Sequence, residues 1–125
     1  MLIDIDFFKR VNDVYGHDGG DMVLVHLAQI LQTKMRHIDS ASRWGGEEFL
    51  ILLPDTVLDQ AHEIAEQLRS YVETNPAPSN IQITISLGIA VISQHGNSLE
   101  SLITAADHAL YAAKKNGRNQ VAIAN

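Results

Sequence analysis

The spacing of apolar residues changes several times along the chain, and each change predicts a new element. Leu2 to Ile5 reads as a short strand ending in acid, and Phe8 to Tyr15 as a brief helical turn that stops at Gly16. From about Gly20 to Met35 one stripe of Met22/Val23, His26/Leu27, Ile30/Leu31 and Met35 predicts a helix. Two apolar runs, Ala41 to Trp44 and Phe49 to Leu53, flank Gly45-Gly46-Glu47-Glu48. That pattern predicts a β-hairpin with two glycines at its tip free to adopt positive φ. Val57 to Val72 is amphipathic, with Val57, Ala61, Ile64, Ala65, Leu68, Tyr71 and Val72 on one side, and Asn75 to Asn80, with two prolines, reads as a loop. Ile81, Ile83 and Ile85 alternate with polar residues before Leu87 to Ile92 become apolar, so Ile81 to Ile92 is the strongest strand. Ser98 caps a third helix carrying Leu99, Leu102, Ile103, Ala106, Leu110 and Ala113, which ends at Gly117. Gln120 to Ala124 closes the chain as a strand.

The order is therefore β-α-α-β-β-α-β-α-β. A hairpin between two helices excludes an all-parallel sheet. The expected fold is α+β: a mostly antiparallel five-stranded sheet with helices on one face, close to ferredoxin-like. At 125 residues, without repeats, low-complexity tracts or internal linkers, the chain reads as one domain. Its 46% hydrophobic and 19% charged residues are ordinary for a soluble globular protein. A net charge of −6 argues against binding a nucleic acid polymer but leaves room for one nucleotide held through metal and a few cations. The absence of cysteine excludes disulfide and thiol chemistry. No apolar run approaches the roughly 20 residues of a membrane span. The first residues are too short an apolar stretch, and too acidic, for a signal peptide, so a cytoplasmic protein is expected.

Candidate chemistry lies in the acids. Asp4 and Asp6 stand at i and i+2, sharing one face at the end of the first strand. Such a pair presents carboxylates to a metal, although it is also common at an ordinary strand exit. Glu47 and Glu48 repel each other on a tight turn, so folding alone would not select them, whereas a bound cation would. If the first strand is central and the hairpin lies beside it, Asp4 and Glu47 meet at one edge. Mg²⁺ suits that arrangement, since it takes one or two carboxylates and completes its shell with water and substrate phosphates. The string Gly45-Gly46-Glu47-Glu48-Phe49 arises by chance in roughly one chain of this size in ten thousand.

That string resembles the signature of GGDEF-domain diguanylate cyclases, in the GGEEF spelling. The segment from Asp4 through Phe7, Phe8, Lys9 and Arg10 to Asn12-Asp13 is similar to the family's opening motif, and Lys114-Lys115-Asn116-Gly117-Arg118-Asn119 to its closing one. Ser86 to Ala90 and Ala106 to Tyr111 extend the resemblance over the full chain. It implies a palm-type nucleotidyl cyclase fold that condenses two GTP into cyclic di-GMP, with release of two pyrophosphates, at a site shared across a homodimer. Asp4 and Glu47, with the backbone carbonyl of Ile5, would hold two Mg²⁺, and Glu47 or Glu48 would take the 3′-hydroxyl proton. Asn12 and Asp21 would read guanine, Lys114 and Arg118 would grip the terminal phosphates, and Lys9 would neutralise charge on them. Taken singly these residues have plainer readings: a turn at Asn12, a first-turn helix acid at Asp21, and helix C-capping at Lys114. Of Phe7 and Phe8, one is expected in the core and one in the pocket wall, with Phe8 counted among the substrate-binding residues. Asp6 is expected to be structural.

Arg36-His37-Ile38-Asp39 forms an RxxD pattern with five residues between Asp39 and Gly45. The resemblance makes it a product-inhibition site for cyclic di-GMP; its plainer reading is a solvated helix end with a local ion pair. The six histidines are scattered without metal-ligand spacing. Family domains begin earlier, with a helix and an Asp-x-Leu-Thr-x-Leu-x-Asn-Arg segment, so residues 1–125 read as a GGDEF catalytic domain truncated at its N-terminus and lacking a regulatory domain. A second reading is a catalytically silent module that binds GTP or cyclic di-GMP, and a third is a cyclase or polymerase for another nucleotide.

Overall fold

In a computed structural model that describes residues 1–125, the chain runs β1 (Leu2–Ile5), α1 (Phe8–Lys34), β2 (Ser40–Arg43), β3 (Glu48–Leu52) and α2 (Leu58–Thr74). A 3-10 turn (Pro78–Asn80) then leads to β4 (Ile85–Ile89), α3 (Leu99–Lys115) and β5 (Val121–Ile123). The five strands form one sheet in the order β2-β3-β1-β4-β5, antiparallel except for β4 with β5. β1 is therefore central, and its register sets Asp4 opposite Glu48 on one side and Ser86 on the other.

The expected break at Gly16 is present, but the two helices it separates are one run bent there, at φ 77 and ψ 176. Helix resumes directly after the kink instead of waiting for Gly20. The bend brings the two segments together over Gly19 and Gly20, where a Cβ would collide with Tyr15 and Asn12.

Ile3 and Ile5 point to one face with Phe49, Ile51, Ile85, Leu87 and Ile89, and pack on Val23, Leu27 and Leu31 of α1 and Ala65, Leu68 and Val72 of α2. Leu2 and Leu50 point the other way, onto Ala106 and Leu110 of α3. Helices thus cover both faces of the sheet, which corrects the one-face expectation. The cause is in the strands: every residue of β1 and β4 is buried, and a strand buried on both sides needs cover on both. At Gly88 this cover comes so close that a Cβ would stand 2.5 Å from the Leu110 backbone nitrogen.

Two local expectations are also corrected. β4 covers Ile85–Ile89, not Ile81 to Ile92, because β1 offers ladder partners only from Ile85 to Gly88. Ile81 makes just an isolated bridge to Ala77. Neither Gly45 nor Gly46 has positive φ. The tip is instead closed by the amides of Trp44 and Gly45, which donate to the Glu48 carbonyl (2.8 and 3.3 Å), and by the Arg43 guanidinium, which donates to the carbonyls of Gly45 and Gly46. The two glycines contribute bare backbone: a Cβ at Gly46 would meet nothing within 4 Å.

Candidate active site

The C-terminal end of β1, the first turn of α1, the hairpin tip and the end of α3 enclose a cavity of about 490 Å³. β1 supplies Asp4 and Ile5, and Asp6 follows; Phe8, Lys9, Arg10 and Asp13 come from α1, Glu47 from the tip, and Lys114 and Arg118 from α3 and the loop behind it. Phe7 turns the chain from strand into helix in a left-handed conformation (φ 55, ψ 36). Its ring is half exposed, with the guanidinium of Arg10 4.7 Å and that of Arg118 4.6 Å from its centre. Phe8 packs against the main core as well as lining the cavity, so both phenylalanines reach the cavity wall and only Phe8 also joins the core.

Asp4 is only 4% exposed. Burial pushes its carboxyl up to about 6, and the neighbouring charges of Glu47 and Glu48 push the same way against the opposing Lys114 ammonium, which bonds Asp4 Oδ2. The charges of two glutamates therefore reach Asp4, with one ammonium as local compensation. No three Asp, Glu or His side chains converge into a cage that could hold an ion by themselves. This donor set fits a hard divalent cation that takes one or two carboxylates and fills its shell with water and phosphate oxygens, the manner of Mg²⁺. The Ile5 amide donates to the Glu47 carbonyl (3.2 Å), which ties the tip to β1 directly beside Asp4.

Asp6 has a different environment. Its carboxylate accepts from Thr84 Oγ1 and Ser86 Oγ (both 2.7 Å) and from the Asn119 amide (2.9 Å), in keeping with the structural role expected of it. Asn119 in turn bonds Arg69 (2.9 Å) and Glu73 (2.6 Å) on α2. Those bonds hold a loop in which Arg118 and Asn119 both have positive φ, 63 and 47. A non-glycine residue persists there only when its surroundings over-determine it.

Not every expected residue meets at this cavity. Glu48 faces Asp4 across the ladder but is not in the wall. Asn12 and Asp21 also lie outside it; Asn12 sits against Gly20, one residue before the exposed Asp21, so the bend at Gly16 makes those two neighbours. Arg36 and Asp39 line a separate cavity of about 570 Å³ between α1 and the β2–β3 hairpin. There they bond each other, with Arg36 Nη2 to Asp39 Oδ1 at 2.8 Å, and Arg36 also reaches Thr56 Oγ1 at 2.6 Å. The guanidinium holds the Asp39 carboxyl below the usual carboxylate range. Sequence reasoning passed over Arg10 and Asp13. The signal for Arg10 was its place after Lys9, a second cation beside the acids.

The family described as diguanylate cyclase, GGDEF domain, matches residues 1–120. The response regulator PleD of Caulobacter vibrioides is 44% identical over 97% of this chain and 28% of its own length. Diguanylate cyclase A of Treponema denticola is 42% identical over 98% of this chain and 34% of its own length. The chain thus spans about a third or less of these curated relatives. Among solved structures, the active GGEEF domain of a diguanylate cyclase from Vibrio cholerae superposes with a TM-score of 0.92 and 38% identity, over 99% of this chain and 80% of that one. The GGDEF domain of DgcB from Caulobacter crescentus, solved in complex with c-di-GMP, gives 0.88 and 33%, over 98% of this chain and 74% of that one. The buried acid of β1, the acidic hairpin tip beside it and the cationic end of α3 all lie within the matched residues 1–120, and this chain belongs to the GGDEF-domain diguanylate cyclase family.

Proposed function

We propose that the protein is a diguanylate cyclase, condensing two GTP into cyclic di-GMP with release of two pyrophosphates. The observation that carries this reading is that Asp4 and Glu47 line one cavity with Lys9, Lys114 and Arg118, while Glu48 stands opposite Asp4 across the ladder. Asp4, Glu47 and the Ile5 carbonyl would hold two Mg²⁺. When bound, these ions lower the pKa of the attacking 3′-hydroxyl and steady the leaving pyrophosphate. Glu47 or Glu48 accepts the hydroxyl proton, the 3′-oxygen bonds the α-phosphorus of the opposite GTP, and the bond to pyrophosphate breaks. Lys114 releases Asp4 and joins Arg118 and Lys9 on the terminal phosphates. Asn12 and Asp21 read the guanine edge, and Phe8 backs the pocket.

One cavity holds one GTP, and each new phosphodiester joins two. Two antiparallel copies related by a two-fold axis bring both halves together. Product per protein molecule should therefore rise steeply with protein concentration when GTP and Mg²⁺ are supplied and the nucleotides are separated by chromatography. GTP that binds yet stays intact at the highest concentration would instead assign a silent binding module.

The Arg36–Asp39 pair is proposed as the product-inhibition site. A guanidinium with a planar fork suits a phosphate or the guanine face, and Asp39 accepts from guanine N–H groups. Arg36→Ala should weaken inhibition by cyclic di-GMP at least about tenfold and leave the initial rate unchanged. Progress curves that bend as early as the parent's would exclude this role.

A further inference from the structure

Phe7 and Arg118 are both held in the left-handed region, Phe7 at φ 55 and Arg118 at φ 63. A bulky side chain stays there only under constraint, and such strain collects at functional sites. Its effect is to leave the Phe7 ring 49% exposed at the mouth of the cavity, flanked by the guanidinium groups of Arg10 and Arg118. Neither guanidinium pairs with a carboxylate or donates a hydrogen bond within the chain. The other arginines are all engaged: Arg36 with Asp39, Arg69 with Glu66 and Glu73, and Arg43 with the carbonyls of Gly45 and Gly46. In a chain with 15 acids and a net charge of −6, two unpaired arginines against one ring in one cavity are poorly explained by folding. They are what a multiply charged anion requires. Stacking on the ring fixes the plane of each guanidinium and leaves its N–H edge free for phosphate oxygens.

We propose that Arg10 is a substrate-binding residue that, together with Arg118 against the Phe7 ring, grips the terminal phosphates and makes the site select a nucleoside triphosphate over a monophosphate. This inference rests on the GTP-binding part of the reading above, not on turnover.

The test is calorimetric titration of the parent, Arg10→Ala and Arg10→Lys with Mg²⁺ and the unreactive α,β-methylene analogue of GTP, then with GMP. Conversion of GTP to cyclic di-GMP is followed in parallel. Arg10 is exposed on α1, so its removal leaves the core intact. Arg10→Ala should bind the triphosphate analogue about tenfold more weakly and GMP as the parent does, with Arg10→Lys recovering part of the loss. In turnover the same change should raise KM with kcat nearly constant. Unchanged affinity for the analogue, or an equal loss for analogue and GMP, would overturn the proposal. A parent that binds the analogue but makes no cyclic di-GMP defeats the cyclase reading alone, because the ratio of analogue to GMP still decides the role of Arg10. A parent that binds neither nucleotide defeats both.

Discussion

Asp4→Asn is expected to lower cyclic di-GMP formation by about three orders of magnitude or more while leaving the protein at least as stable as the parent. The two halves of that result have one cause. Asp4 is the buried carboxylate at the bottom of the cavity, and an amide in its place cannot supply the negative charge that a divalent cation needs. Yet the fold gains nothing from that charge: burial, the largest cause, with Glu47 and Glu48 adding to it, outweighs Lys114 and leaves the carboxyl raised from 3.8 to about 6. A neutral isostere removes the conflict. Lys114, a third exposed, turns to water when its partner goes. The pH dependence follows with a definite sign. A carboxyl that holds its proton more tightly when folded stabilises the fold fully below the unfolded value, and that stabilisation is lost as pH rises from about 4 to about 6. The melting temperature of the metal-free parent should fall across that window, and Asp4→Asn should lack the step. Saturating Mg²⁺ should raise the parent's melting temperature more above pH 6 than below it, since the cation competes with the proton for Asp4. A variant that keeps full activity, or that shows the parent's step, would remove Asp4 from its assigned role.

The second large effect is structural. Gly88→Ala should cost about 3 kcal/mol, which for a chain of this size lowers the melting temperature by roughly ten degrees. The added Cβ would stand 2.5 Å from the Leu110 nitrogen and 3.0 Å from its Cα, and closer still to the Ala106 carbonyl. All three are helix backbone, so no rotamer change relieves the contact. Either α3 lifts from the sheet or β4 shifts against β1. Because α3 carries Lys114 and leads into Arg118, the KM for GTP should rise as well. Gly46→Ala is the control, since its Cβ enters open space, and its stability should lie within about 0.5 kcal/mol of the parent. A loss below about 1 kcal/mol for Gly88→Ala would mean that α3 can move without penalty.

Much of the site was readable along the chain because its parts are local. The Asp-x-Asp at the exit of β1, the carboxylates of a hairpin tip, and lysine and arginine around a helix-ending glycine each occupy a few adjacent residues. Whether they meet was conditional on β1 being central, and the register of Asp4 with Glu48 meets that condition. The helix break at Gly16 and the cap at Ser98, whose hydroxyl accepts from the Ser101 amide, were equally local and equally visible. The misplaced features share a different origin. The apolar run predicts a longer β4 than forms, because its limits depend on the length of a partner strand 80 residues away. The glycine residue type leaves Gly45 and Gly46 free to adopt positive φ, but neither does so, because Arg43 holds the tip by bonding its carbonyls.

Periodicity and motif spacing, being properties of neighbours in the chain, were enough to determine the order of elements, the mixed α+β class and most of the residue types that line the candidate site. Only the tertiary structure decided that helices cover both faces of the sheet, that Lys114 compensates Asp4 from 110 residues away, and that one strained phenylalanine gathers Arg10 and Arg118. Each of these is a contact between surfaces that the chain brings together by folding, and its energy comes from burial and desolvation that no local pattern encodes.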